Sequence, residues 1–303
     1  MFFHIKLIDE VLNLYFKNYS HTDLAKKSVV LGVITSIFLI VLKLGAWILT
    51  DSLSMRASMN DSVLDALASF LAYHAIIFSA TSFDKEHNFG HEKVEGLMAL
   101  FQCLFVIYSG IMIFVEAYDS LINPTPVHNS EIGIAIMIIS CFAVYQLIYF
   151  QKYVASRTES LLVQGETLHY LSDFLVNLCI MISLFVSRYF LYLDVVCGVV
   201  IGGYVLYSAL LILKNAIIDL MDESLPPKVR EDILKTMTAI DGVKGVKILK
   251  TRSAGMKKYI ESRILVSAGS SFIKANAIAF EVESSLRNMF DKVDAIVKAE
   301  PDK

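Results

Sequence analysis

Six apolar stretches, each long enough to cross a bilayer, follow one another through the first two thirds of this 303-residue chain. A lipid core offers no water to a backbone amide or carbonyl, so a segment of about 20 apolar residues there must be helical and satisfy its own hydrogen bonds. The stretches fall at about 28–50, 54–81, 93–118, 131–155, 161–187 and 192–218. This pattern predicts a membrane α-helical bundle of six transmembrane helices. Composition agrees: 55% of the residues are hydrophobic and 19% charged, where an ordinary soluble protein is about a quarter charged.

Between the stretches, Lys and Arg collect on one side. Lys6, Lys17, Lys26 and Lys27 precede the first, Lys85 and Lys93 separate the second from the third, and Lys152 and Arg157 separate the fourth from the fifth. The opposite connections hold little beyond Arg56 and Arg188, so the positive-inside rule places both termini in the cytosol. The start of the chain is broken by charges before any sustained apolar run, which predicts no signal peptide. The third-to-fourth connection, "DSLINPTPVHNSE", has two prolines and no basic residue, as an exterior turn would.

After "DESLPP" the hydropathy falls. A helical pattern, two alternating strands joined near Gly255, a second helix and a last strand follow, giving the order αββαβ of a small α+β cytosolic domain. The domains predicted are 1–27, a cytosolic N-terminal segment; 28–222, the transmembrane domain; and 223–303, the cytosolic domain. Residues 1–225 hold 12 basic and 20 acidic side chains, whereas 226–303 hold 15 and 10. A basic tail suits the neighbourhood of anionic lipid, and no nucleic-acid motif accompanies it. Cys103, Cys141, Cys179 and Cys197 stand singly in apolar runs, which predicts buried side chains, not disulfides or a thiolate site.

The stretch "MNDSVLDALAS" puts Asp61 and Asp65 four residues apart inside the second span. An Asp at the centre of a spanning helix costs about 2.5–3.5 kcal/mol on insertion scales, so it marks function before structure. In the fifth span "TLHYLSDFLVN" gives His169 and Asp173 the same spacing, which sets each pair on one helix face. Two such faces turned toward each other converge three carboxylates and an imidazole, a donor set that suits Zn²⁺ or a similar divalent ion. Without a metal the same groups take up protons. Lys43 is expected to snorkel or pair with a neighbouring helix, because a cation beside the site opposes metal binding. Glu95, Glu116 and Glu166 fall near span ends, where solvated positions are expected.

The loop "FDKEHNFGHEKVEG" supplies Asp84, His87 and His91, with Gly90 allowing a turn. A carboxylate and two imidazoles make a second candidate metal site, weighed evenly against a merely polar loop. Glu95 stands where the second His of a zinc-protease HExxH helix would be, so that chemistry is not indicated.

Taken together, DxxxD in the second span, "HNFGHEKVEGLMAL" entering the third, "INPTP" after it, HxxxD in the fifth and "LMDESLP" before the tail resemble the cation diffusion facilitator family, specifically bacterial zinc and ferrous-iron efflux proteins. The resemblance implies a homodimer in the bilayer with a ferredoxin-like cytosolic dimerisation domain, exchanging a divalent metal for protons by alternating access. It implies that Asp61, Asp65, His169 and Asp173 form the transport site, that Asp84, His87 and His91 form a loop site, and that Lys93 and Asp222 form a structural charge pair. Relatives also bind metal in the cytosolic domain through histidines and acids. The aligned positions here read Lys247, Arg263, Asn276, Lys298 and Glu300. Three are fixed cations or cannot shed a proton at neutral pH, so this degenerate site is expected to bind no metal, its cations either replacing metal charge or reflecting drift.

The expected function is proton-coupled efflux of a divalent cation, Zn²⁺ first and Fe²⁺ or Cd²⁺ next, across the cytoplasmic membrane, with no resident cofactor and no nucleic-acid partner. Two other classes compete. A membrane metalloenzyme needs an open coordination position beside a general base, and a non-transporting metal-sensing or scaffolding dimer needs binding without flux.

Overall fold

A computed structural model describes residues 19–50, 53–81, 83–122, 131–186 and 193–302. Within them the side chains of 50, 53–58, 60, 61, 116, 120, 131–134, 179–186, 193–195 and 197 lie outside the description. The N-terminal basic residues Lys6 and Lys17, the "NPTPVHNS" turn, Arg56, Arg188, Cys179 and Cys197 therefore lie outside the described residues. The chain divides into two compact units, Met1–Ala216 and Ile217–Lys303.

Six long helices build the first unit: α1 (His21–Thr50), α2 (Leu53–Ser79), α3 (Lys93–Ile122), α4 (Glu131–Thr158), α5 (Leu161–Val186) and α6 (Leu193–Leu220). Helix α1 starts seven residues before the apolar run begins at about 28, and the reason is a cap. Ser20 Oγ accepts from Asp23 N–H at 3.2 Å and donates to its carboxylate at 2.8 Å, satisfying an otherwise orphaned helix donor. The polar first turns thus extend α1 beyond its apolar span.

Helices α1 and α2 pack closely, α1 also lies on α4, and α5 sits among α1, α2, α3 and α4. Small residues bring α6 onto α3: a Cβ at Gly198 would stand 3.1 Å from that of Ala117, and one at Gly202 3.4 Å from the Gly110 carbonyl oxygen. Such close approach is how helices pack where lipid supplies no hydrophobic drive. Ile34, Ile37, Val41 and Ile48 of α1 and Leu104, Phe105, Ile111 and Val115 of α3 are exposed, an apolar exterior fit for hydrocarbon. Among the described residues, five of the helices are long and apolar enough to span a membrane; α5, which carries Glu166, His169 and Asp173, is not among them.

In the second unit, α7 (Pro227–Thr238) begins on a proline that needs no N–H there. Strands β1 (Gly245–Ala254) and β2 (Lys257–Ser267) form an antiparallel hairpin, turning at Gly255 with φ +55°. Helix α8 (Phe272–Arg287) then crosses over so that β3 (Val293–Asp302) runs parallel to β2, in the sheet order β1-β2-β3. Ser271 caps α8 by accepting from the Lys274 N–H at 3.3 Å. The core joins Ile233 and Met237 of α7, Ile260, Ile264 and Val266 of β2, and Val282 and Leu286 of α8. The αββαβ order read from the sequence is the order observed.

Candidate metal centre

Helices α2 and α5 bring three ligand-bearing side chains together. His169 Nε2 lies 3.0 Å from Asp65 Oδ1 and 3.7 Å from Asp173 Oδ2, and one ligand atom from each lies within 4.8 Å of the others. All three are half-buried. The spacing of four residues on α5 stacks His169 and Asp173 on one face, and Asp65 approaches from α2. Asp61 lies one turn earlier on α2; its side chain is outside the described residues. Two carboxylate oxygens and an imidazole nitrogen within such reach can wrap a divalent cation without moving a helix, and a metal takes them only when all three are deprotonated. Lys43 of α1 donates to Ser62 Oγ of α2 at 2.7 Å.

A second cluster occupies the loop between α2 and α3. Asp84 Oδ1 accepts from the backbone N–H groups of Glu86 at 2.9 Å and His87 at 2.6 Å. His87 Nδ1 lies 3.1 Å from Asp84 Oδ1, and His91 Nε2 lies 3.3 Å from Asp84 Oδ2. Thr81 Oγ1 sits 3.1 Å from His91 Nδ1, the kind of contact that leaves Nε2 free to ligate. Gly90 makes this turn at φ +91°, a conformation that favours glycine. The backbone N–H of His87, chiefly, holds the Asp84 carboxyl below its usual range, so it is an anion ready for a cation. Among the described residues, these two are the only groups of three or more His, Cys, Asp or Glu drawn together in this way.

In the second unit the five aligned positions gather differently. Glu300 accepts from Lys247 Nζ at 2.8 Å and from Arg263 Nη1 at 3.3 Å, and Lys298 stands beside Arg263 in register. Asn276 is exposed on α8. The hydrogen bond from Lys247, more than the two other cations, keeps the Glu300 carboxyl below its ordinary range. Asp222, with φ +57°, accepts from Arg252 Nη1 at 2.8 Å within its own unit, while Lys93 opens α3 in the first unit.

Two expectations fail. Glu95 and Glu166, read as solvated, are buried, each 1% exposed. Glu95 accepts from the Ser160 hydroxyl that caps α5. Glu166 is enclosed because α5 sits among four helices, so a residue near the end of an apolar run still faces protein. The signal was present: Glu166 precedes His169 by three residues, so it extends the same polar stripe by one turn. Glu116 lies outside the described side chains.

The family model of the cation efflux transmembrane domain matches residues 29–221, and that of the cation efflux protein cytoplasmic domain matches 225–302. The chain is 32% identical over 285 residues to the cation-efflux pump FieF of Klebsiella pneumoniae (strain 342), covering 94% of this chain and 95% of that protein. It is 33% identical over 284 residues to protein p34 of Rickettsia prowazekii (strain Madrid E), again 94% and 95%. Among solved structures, a MamM CTD variant in its nickel form shares 20% identity over 26% of this chain and all of its own, with a TM-score of 0.25. The chain belongs to the cation diffusion facilitator family. It is a multi-pass membrane transporter of the cation-efflux class, not an enzyme.

Proposed function

We propose that this transporter exports a divalent metal, Zn²⁺ being the ion its donor set fits best, in exchange for protons across the cytoplasmic membrane. The observation that carries the reading is the convergence of Asp65, His169 and Asp173 from two helices, with His169 Nε2 3.0 Å from Asp65 Oδ1. Asp61 is assigned to the same set by its sequence spacing of four residues from Asp65. Facing the cytosol, the deprotonated cluster captures a metal ion. Facing outward, protons from the medium compete for the same oxygens and nitrogen and release it, so one site serves both ions in alternation. Without that competition the affinity would be equal in both states, and no net transport would follow. The Asp84–His87–His91 cluster is a second, more accessible cation site.

The protein works as a homodimer in the inner membrane with both termini cytosolic. The cytosolic domain dimerises without metal, since Lys247 and Arg263 already neutralise its one acid at the degenerate site. Uptake of Zn²⁺ into proteoliposomes under a pH gradient tests the main reading. Wild type is expected to accumulate metal, and Asp65→Ala and His169→Ala to lose at least about tenfold in rate, the loss that removing even an outer partner of a metal ligand commonly causes. Unchanged transport in both would reject the site, and binding without flux in the wild type would point to a sensing dimer.

A further inference from the structure

The strongest unassigned group is Glu166. Its side chain is sealed between helices: a Cβ on Gly32 of α1 would come within 2.6 Å of Glu166 Oε1, so no hydrated ion fits there. Oε1 lies 2.8 Å from Ser69 Oγ of α2, and Oε2 has no hydrogen-bond partner. Ser69 Oγ also lies 2.8 Å from Tyr170 Oη, and Tyr170 Oη donates to the Gly32 carbonyl at 3.2 Å. Among the described residues no lysine, arginine or histidine forms an ion pair with Glu166.

The row can be wired in two ways, according to whether Glu166 holds a proton. It ends at a carbonyl, which only accepts. With a proton on Glu166, each group donates once in series: Glu166 to Ser69, Ser69 to Tyr170, Tyr170 to Gly32. With a carboxylate, Ser69 turns to Glu166 and Tyr170 to Ser69, which leaves the Gly32 carbonyl to the Ser36 hydroxyl that donates to it at 3.0 Å. A full charge would then sit beside the unpartnered Oε2, which burial penalises.

We propose that Glu166 is a proton-carrying site of the transport cycle, separate from the metal ligands, which releases its proton when a divalent cation occupies the Asp65–His169–Asp173 cluster one helical turn away. The ionisable groups nearest it are His169 and Tyr170 of α5, with Asp65 of α2 and Asp173 of α5 against His169; Lys43 of α1 is turned to Ser62 and Glu95 of α3 to Ser160. From α1 it meets Gly32 and Ser36, and from α3 the Gln102 amide lies beside Gly165. A dication at the cluster offsets the cost of a carboxylate at that distance. The Glu166 O–H bond breaks, the proton passes to water admitted when the site opens, and Ser69, already at 2.8 Å from both neighbours, turns its hydroxyl to the carboxylate.

This inference rests on the cluster being the metal site. Full-length protein in detergent, in a His87→Ala background that disables the loop site, is titrated with ZnCl₂ in weak buffer, and the protons released for each bound ion are counted. Glu166→Gln keeps an N–H donor for Ser69 and is expected to bind Zn²⁺ while releasing about one proton fewer per ion; Glu166→Asp restores the count. An equal count in wild type and Glu166→Gln overturns the inference. Should Glu166→Gln fail to bind, infrared spectra decide: the metal-free protein must show a carboxylic-acid C=O band that Ser69→Ala shifts and Zn²⁺ abolishes, and its absence overturns the inference equally. No zinc binding by the parent protein would instead overturn the reading of the cluster itself, and this inference with it.

Discussion

Glu300 shows how far one side chain can be read. Its carboxylate takes hydrogen bonds from Lys247 and Arg263 and is only 16% exposed. Because the folded state depresses its pKa, chiefly through Lys247, the cluster adds stability above the unfolded value of about 4.3. That contribution is lost as pH falls through the folded value. Glu300→Gln is therefore expected to lower the thermal midpoint of the second unit's unfolding at neutral pH, with the gap closing below about pH 4. Circular dichroism across pH checks this, and a gap that persists undiminished in acid would mean the loss is one of packing. At this scale the sequence was uneven as a guide. The i, i+4 spacing of His169 and Asp173 was legible because helical geometry alone dictates it. The burial of Glu95 was not, because it depends on which other helices surround α3 and no local pattern encodes that; for Glu166 the three-residue spacing from His169 was the one local sign.

Helices in the first unit meet through small residues, and α6 shows the sensitivity this creates. A Cβ at Gly202 would stand 3.1 Å from Phe114 Cε2 and 3.4 Å from a backbone oxygen of α3, whereas one at Gly203 would meet nothing within 4 Å. Gly202→Val is expected to destabilise the bundle by about 1–3 kcal/mol through overpacking. Gly203→Ala is expected to be neutral or slightly stabilising, since alanine is the better helix former. Unfolding in mixed micelles compares the two, and equal behaviour would sink the α3–α6 packing argument. Element identity was largely readable: alternation gave β1 and β2, and Gly255 gave their turn. The start of α1 was not, because hydropathy sees an apolar run and is blind to a cap at Ser20 that prolongs it through polar residues.

For the molecule as a whole, the two described metal-capable clusters both lie in the first unit. Full-length protein carrying Asp65→Ala and His87→Ala together is expected to retain no tight Zn²⁺ in equilibrium dialysis, because the second unit offers ammonium and guanidinium groups where ligands would be needed. Stoichiometric binding by that variant would show that the cytosolic domain still holds metal. One feature of the bundle bears on how the chain enters a membrane at all. Helix α4 ends at Thr158 and α5 begins at Leu161, so only Glu159, at φ +54°, and Ser160 separate two helices that pack together. With each central carboxylate adding about 2.5–3.5 kcal/mol to the cost of entering lipid, α5 is a poor candidate for insertion alone. Joined so tightly to α4, it is expected to enter as the second arm of a helical hairpin, its polar face shielded by protein before it meets hydrocarbon. The carboxylates and imidazole of α5 would then set an order of assembly during synthesis.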